Sequence, residues 1–245
     1  MAEERLNESV MASIKLVNVY KRFGKKLVLD NISFEPSRNG AIGYLGPNGA
    51  GKTTTFKVLL GLLKPTSGAA YINGIDVRKD RKNALLNVGS IVESPEGQPG
   101  QTVREAIEMA GAYKGLNKQQ VAAQIENYES SLKLPDLSFK INELSKGLKQ
   151  RVSLMMALIA EPNVLILDEP TEGLDPAERI RFMQLINSIK KDRLILISSH
   201  IIPEIREVCD SIILINNGKI IDSGTITELQ RKYGSLEKMY MKMVG

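Results

Sequence analysis

Three glycines, a lysine and two threonines crowd the nine positions 46–54, GPNGAGKTT, between two apolar segments. Glycine loses more conformational freedom on folding than any other residue, so three in so short a span mark backbone shapes or close approaches that a side chain would block. Ahead of them, Ala41-Ile42-Gly43-Tyr44-Leu45 predicts a short buried strand. Behind them, Phe56, Val58, Leu59, Leu60, Leu62 and Leu63 predict an apolar helix, ended by Lys64-Pro65-Thr66-Ser67-Gly68. With Gly46-x-x-x-x-Gly51-Lys52-Thr53 at its centre, the strand–loop–helix unit predicts a phosphate cradle. Backbone N–H groups along Gly46, Asn48, Gly49, Ala50 and Gly51, continuing through Thr54, would bind phosphate oxygens, aided by the positive end of the helix. Lys52 would reach the β- and γ-phosphates, and the Thr53 hydroxyl would take one Mg²⁺ position.

A chain of 245 residues can bury a substantial core as one large domain or two small lobes. With 42% apolar and 25% charged residues, its composition predicts a soluble globular protein. The most apolar continuous run, 154–160, falls far short of a membrane span, and MAEERLNESV is too acidic and polar for a secretory signal. The expectation is an intracellular chain whose membrane role, if any, comes through a partner. One cysteine, Cys209, excludes an internal disulfide or a cysteine-rich zinc site and is expected as a small buried hydrophobe. A net charge of +5 suits a phosphate ligand, an anionic membrane or nucleic acid, and chooses among none of them.

The second half of the site lies in NVLILDEP, 163–170. Val164 to Leu167 suits a central parallel strand covered on both faces, and it ends in Asp168 and Glu169. Ligands of open α/β sheets sit at the carboxyl ends of strands, where these acids would lie. Asp168 is expected to hold Mg²⁺, and Glu169 to orient or deprotonate the attacking water. A third strand, Leu194 to Ile197, runs into Ser198-Ser199-His200, the single histidine, placed to bond a γ-phosphate oxygen or the lytic water.

With these pieces in order, the chain resembles the ATP-binding cassette (ABC) family, specifically the nucleotide-binding subunit of an ABC transporter. The resemblance runs from about residue 14 to residue 224, and its most specific mark is Leu144-Ser145-Lys146-Gly147-Leu148-Lys149-Gln150-Arg151. It implies a P-loop NTPase core of α/β class with a mainly parallel sheet, an antiparallel β lobe and an inserted helical subdomain. It further implies ATP and Mg²⁺ as cofactors, and two cassettes, as a homodimer, pairing head to tail around two ATP molecules. Ser145 and Gly147 would then touch the γ-phosphate held by the other subunit. Asp175 falls where the family places its subunit-crossing loop, and Phe23 where an aromatic underlies adenine. Ser145 and Asp175 also read as helix caps.

Two positions depart from the common pattern. Lys146 and Leu148 stand where glycine and glutamine are more usual, and Glu93 stands in place of a glutamine that touches Mg²⁺ or the lytic water. A carboxylate at 93 is still an oxygen ligand for Mg²⁺. That variant resembles the branch of bacitracin-resistance and lantibiotic-immunity exporters.

The expected organisation is an N-terminal tail, 1–13, a cassette domain, 14–224, and a C-terminal helical tail, 225–245. The cassette divides into a core, 14–92 and 157–224, and a helical signature subdomain, 93–156, that meets the membrane partner. Helices are predicted at 103–113, 118–132 and 149–160, with one more over 226–243, where Met239, Met241 and Met243 would line a packing face. The start is open between Met1 and Met11. The resulting expectation is an ATPase subunit at the cytoplasmic face of the membrane. It would power solute transport, with export favoured, through a separate transmembrane permease, and no nucleic-acid partner is expected. The competing class is a soluble cassette acting on nucleic acid, the ribosome or cluster assembly.

Overall fold

A computed structural model of the chain describes residues 12–36, 39–92 and 100–244. Its first elements are β1 (Ile14–Phe23), β2 (Lys26–Phe34), β3 (Gly40–Leu45), α1 (Lys52–Leu59), β4 (Ser67–Ile72), β5 (Ile75–Asp76), α2 (Arg81–Ala84) and β6 (Val88–Ile91). A helical stretch follows: α3 (Val103–Tyr113), α4 (Lys118–Leu132) and α5 (Lys146–Leu158). The chain then alternates through β7 (Val164–Leu167), α6 (Pro176–Ile189), β8 (Leu194–Ser199), α7 (Ile202–Val208), β9 (Ser211–Asn216) and β10 (Lys219–Thr225). It closes with α8 (Ile226–Tyr233) and α9 (Leu236–Val244).

The strands form a six-stranded sheet, β10-β9-β3-β8-β7-β6, and a four-stranded sheet, β2-β1-β4-β5. Every pairing in the first is parallel except β10 on β9, and the second is antiparallel throughout. Val164, Ile166, Leu194 and Leu196 pack with Tyr44, Phe56 and Leu59 in the core between the two sheets. Their alternates Leu165, Leu167, Ile195 and Ile197 pack against the helices on the opposite face. Strands buried on both faces have no polar side to show, which is why these runs are unbroken aliphatic sequence. The architecture is the α/β class expected, with the helical block α3–α5 inserted between two neighbouring strands of the parallel sheet.

Helices α3 and α4 occupy the predicted spans, each opened by a capping box, Thr102 with Glu105 and Asn117 with Gln120. The third begins earlier than predicted, because the Ser145 hydroxyl accepts from the Leu148 N–H at 3.3 Å and so starts α5 at Lys146. Its end at Leu158 carries it across the boundary expected at 156. Two other helices are shorter than predicted, each stopped by a left-handed glycine. Gly61 (φ 62°) follows α1 and leaves Leu62 exposed, while Gly234 (φ 85°) separates α8 from α9. Met239 is buried on α9 but Met241 is 69% exposed, so the methionines do not share one packing face. The Lys114 ammonium, at the end of α3, donates to the Leu85, Leu86 and Val88 carbonyls at 2.8–3.2 Å and so ties the helical block to the start of β6. Among the described residues, no helix is long and apolar enough to cross a membrane. Cys209 is buried, and burial pushes its thiol far above the ordinary range.

Candidate functional site

The loop after β3 shows why its glycines are there. A Cβ on Gly46 would stand 2.3 Å from the Ile215 carbonyl oxygen of β9, so only glycine fits against that strand. Gly49 (φ 80°) and Gly51 (φ 109°) adopt left-handed backbone that other residues rarely take. The loop thereby ends at the N-terminus of α1 with Ala50, Gly51 and Lys52 buried, Thr54 half-buried and Asn48, Gly49 and Thr53 exposed. Lys52 folds back, its Nζ donating to the Gly46 carbonyl at 2.8 Å and the Pro47 carbonyl at 3.1 Å. Thr55, just beyond the loop, braces the turn by donating from Oγ1 to the Gly51 carbonyl at 2.9 Å. The buried Tyr44 hydroxyl meets Thr55 Oγ1 at 3.2 Å, and burial pushes the phenol well above its ordinary pKa, keeping it neutral.

Asp168 and Glu169 leave the end of β7 in different directions. The Asp168 N–H continues the sheet by donating to the Ile91 carbonyl at 2.8 Å. Glu169 takes a left-handed conformation (φ 44°), uncommon for a residue other than glycine and found most often where function needs it. Ser198, at the end of β8, clamps both. Its hydroxyl donates to Asp168 Oδ1 at 2.6 Å and accepts from the Glu169 N–H at 2.8 Å. In the sequence, the only signal for Ser198 is its place at the end of an apolar strand, two residues before the histidine. Ser198→Ala is expected to lower kcat about 10- to 100-fold while KM for ATP stays within about two-fold, since misplacing a reacting group by an ångström costs on this order. Steady-state kinetics with an unchanged kcat would remove Ser198 from the machinery.

The Glu169 carboxylate lies between two cation-forming groups. Lys52 Nζ is 2.9 Å from Oε1, a charge contact without hydrogen-bond alignment, and His200 Nδ1 is 3.0 Å from Oε2. The phenol of Tyr240, on α9, has its pKa raised by burial and then by the Glu169 charge. Thr53, Asp168 and Glu169 line one cavity of about 200 Å³ together with Ile91, Lys146, Gln150 and Glu172. Among the described residues no group of three or more His, Cys, Asp or Glu side chains could hold a metal ion. A hydroxyl and one carboxylate on a shared cavity nonetheless fit Mg²⁺, which keeps most of its waters and takes phosphate oxygens rather than an all-protein cage.

The remaining predicted residues are not among those lining this cavity, although Lys146, between Ser145 and Gly147, is. Ser145 is exposed at the start of α5. Gly147 is buried with its flank closed by α6, where a Cβ would stand 2.1 Å from a Glu178 carboxyl oxygen. Among the described residues neither bonds to the loop at 46–54, so within one chain they do not complete the site. Asp175 caps α6, accepting from the Glu178 N–H at 2.8 Å ahead of Pro176. Phe23, at the end of β1, is 51% exposed with Lys21 Nζ 4.8 Å above its ring, an exposed aromatic rather than a core residue. Glu93 lies outside the described residues.

Comparison with known proteins bears on this geometry. The family described as ABC transporter matches residues 29–172. The Nod factor export ATP-binding protein I of Burkholderia lata is 39% identical over 216 residues, 87% of this chain and 71% of that protein. The bacitracin transport ATP-binding protein BcrA of Bacillus licheniformis is 36% identical over 225 residues, 89% of this chain and 72% of that one. A solved dimeric bacterial ABC transporter cassette superposes with a TM-score of 0.77 at 25% identity, covering 86% of this chain and 98% of its own.

Proposed function

Because the chain belongs to the ABC transporter family, as an ATP-binding subunit with ATPase activity, we propose that it powers export through a separate transmembrane subunit, working as a head-to-tail pair. The observation that carries the chemistry is the Glu169 carboxylate held between Lys52 and His200. Lys52, anchored by the Gly46 and Pro47 carbonyls, is the fixed positive charge for the β- and γ-phosphates. Phosphate oxygens would replace Glu169 as its anionic partner and leave that carboxylate to take the proton of the attacking water. His200, on the other side of Glu169, would orient the water or bond a γ-phosphate oxygen. Thr53 and Asp168 would hold Mg²⁺, which when bound neutralises phosphate charge.

Closure requires the second subunit. Ser145 and Gly147, which make no bond to their own loop among the described residues, would complete the partner's site with the positive end of α5, and Asp175 would cross between subunits. The solved relative is itself a cassette dimer, which supports this pairing. Phe23 would stack on adenine. Export is supported by the relatives, one named for Nod factor export and one for bacitracin transport.

A groove of about 570 Å³ between β6 and α3, lined by Leu60, Leu62, Leu85, Tyr113 and Met156, supports docking of the transmembrane subunit on the helical block. Tyr113 is 83% exposed there and Leu62 53%, an apolar surface suited to a partner. The protein would then sit peripherally on the cytoplasmic face of the membrane. The test is a mild-detergent purification of tagged Glu169→Gln protein from its own cells with ATP, followed by mass spectrometry. A stoichiometric multi-span membrane protein is expected. Recovery of only soluble partners or nucleic acid, from a preparation shown to retain membrane complexes, would overturn the transport role.

A further inference from the structure

Glu204, in the first turn of α7, is 3% exposed, and the phosphate chemistry does not use it. An ionised carboxylate is kept so deep only when it is paired and hydrogen-bonded. Its Oε2 accepts from the Ser199 hydroxyl at 2.8 Å, and Arg179 Nε stands 3.1 Å from its Oε1, a charge contact without hydrogen-bond alignment. The same Ser199 Oγ accepts from the Ile201 N–H at 2.9 Å, so one hydroxyl ties together the residues on either side of His200. The imidazole itself is 38% exposed, and among the described residues its one side-chain bond is to Glu169. Its aim therefore depends on the backbone that Ser199 brackets.

Arg179 leads to the other end of the network. It lies one turn into α6, its N–H donating to the Asp175 carbonyl at 2.9 Å. We propose that Glu204 is a positioning residue for His200, held by Arg179, so that the helix beginning at Asp175 is tied to the loop that presents the histidine. A displacement of that helix start on subunit pairing would pass through Arg179, Glu204 and Ser199 to the imidazole. This inference rests on the role given to His200 above.

The test compares Glu204→Gln, His200→Ala and the double variant by steady-state ATPase kinetics, with ATP-driven pairing followed in a Glu169→Gln background. Glu204→Gln should lower kcat about 10-fold with KM for ATP within about two-fold, a misalignment effect. It should leave pairing intact and have no further effect once His200 is alanine. A full kcat, or losses that multiply in the double variant, would overturn the proposal, because a merely structural carboxylate acts independently of the imidazole. If Glu204→Gln does not fold, Ser199→Ala carries the same comparison, since it cuts the relay and keeps the Arg179 pair. His200→Ala with undiminished kcat would instead sink the reading of His200 itself.

Discussion

Glu169→Gln is expected to bind ATP, to turn it over roughly 10²- to 10⁴-fold more slowly, and to accumulate as a stable pair of subunits. The amide keeps the shape of the side chain and removes its capacity to take a proton. It also removes the negative charge that faces Lys52 at 2.9 Å, so nucleotide phosphates meet no competing carboxylate there. ATP affinity should therefore hold or improve while turnover collapses. Size-exclusion chromatography with and without ATP, alongside phosphate-release kinetics, reads both halves of the prediction. Turnover near that of the unaltered protein would take the general-base role away from Glu169.

Gly46→Ala should have the other large effect, through geometry alone. The added methyl would lie 2.3 Å from the Ile215 carbonyl oxygen and 2.8 Å from the Ile215 Cγ2. The carbonyl belongs to β9, which is paired with β3 on one side and β10 on the other, so it has little freedom to retreat. The loop must move instead, and with it the Gly46 carbonyl that seats Lys52. Overpacking of this kind costs about 1–3 kcal/mol. In a protein of this size that lowers Tm by about 2–4 °C per kcal/mol, and ATP affinity should fall at least about tenfold, worth about 1.4 kcal/mol. Calorimetry and titration with a fluorescent ATP analogue test the two parts. Unchanged affinity and Tm would show that the loop has room the structure denies it.

Much of the site was legible because its residues are neighbours in sequence. The loop 46–54, the acids at 168 and 169 and the segment 144–151 each carry their chemistry in local spacing, and the aliphatic runs around them mark strands buried on both faces. Helices α3 and α4 were legible to the residue, their starts marked by capping boxes that are themselves local signals. The ends of α1 and the C-terminal pair were not. They are decided by Gly61 and Gly234, residues that are equally at home inside a longer turn or loop until a backbone conformation is imposed.

By itself the sequence determined the phosphate loop, the acidic pair after β7, the histidine after β8 and the α/β class that brings strand ends together. Tertiary structure alone decided which neighbours those residues have. The strand order β10-β9-β3-β8-β7-β6 sets β8 beside β7, and only then does Ser198 reach Asp168 and Glu169 from about thirty residues away. The same is true of the β9 carbonyl that forbids a side chain at 46, the Glu178 carboxylate against Gly147, and the Arg179–Glu204 pair behind His200. Periodicity reports which face of an element is apolar. It carries no information on which distant element will cover that face, because the same buried aliphatic strand is stable beside any partner of matching shape.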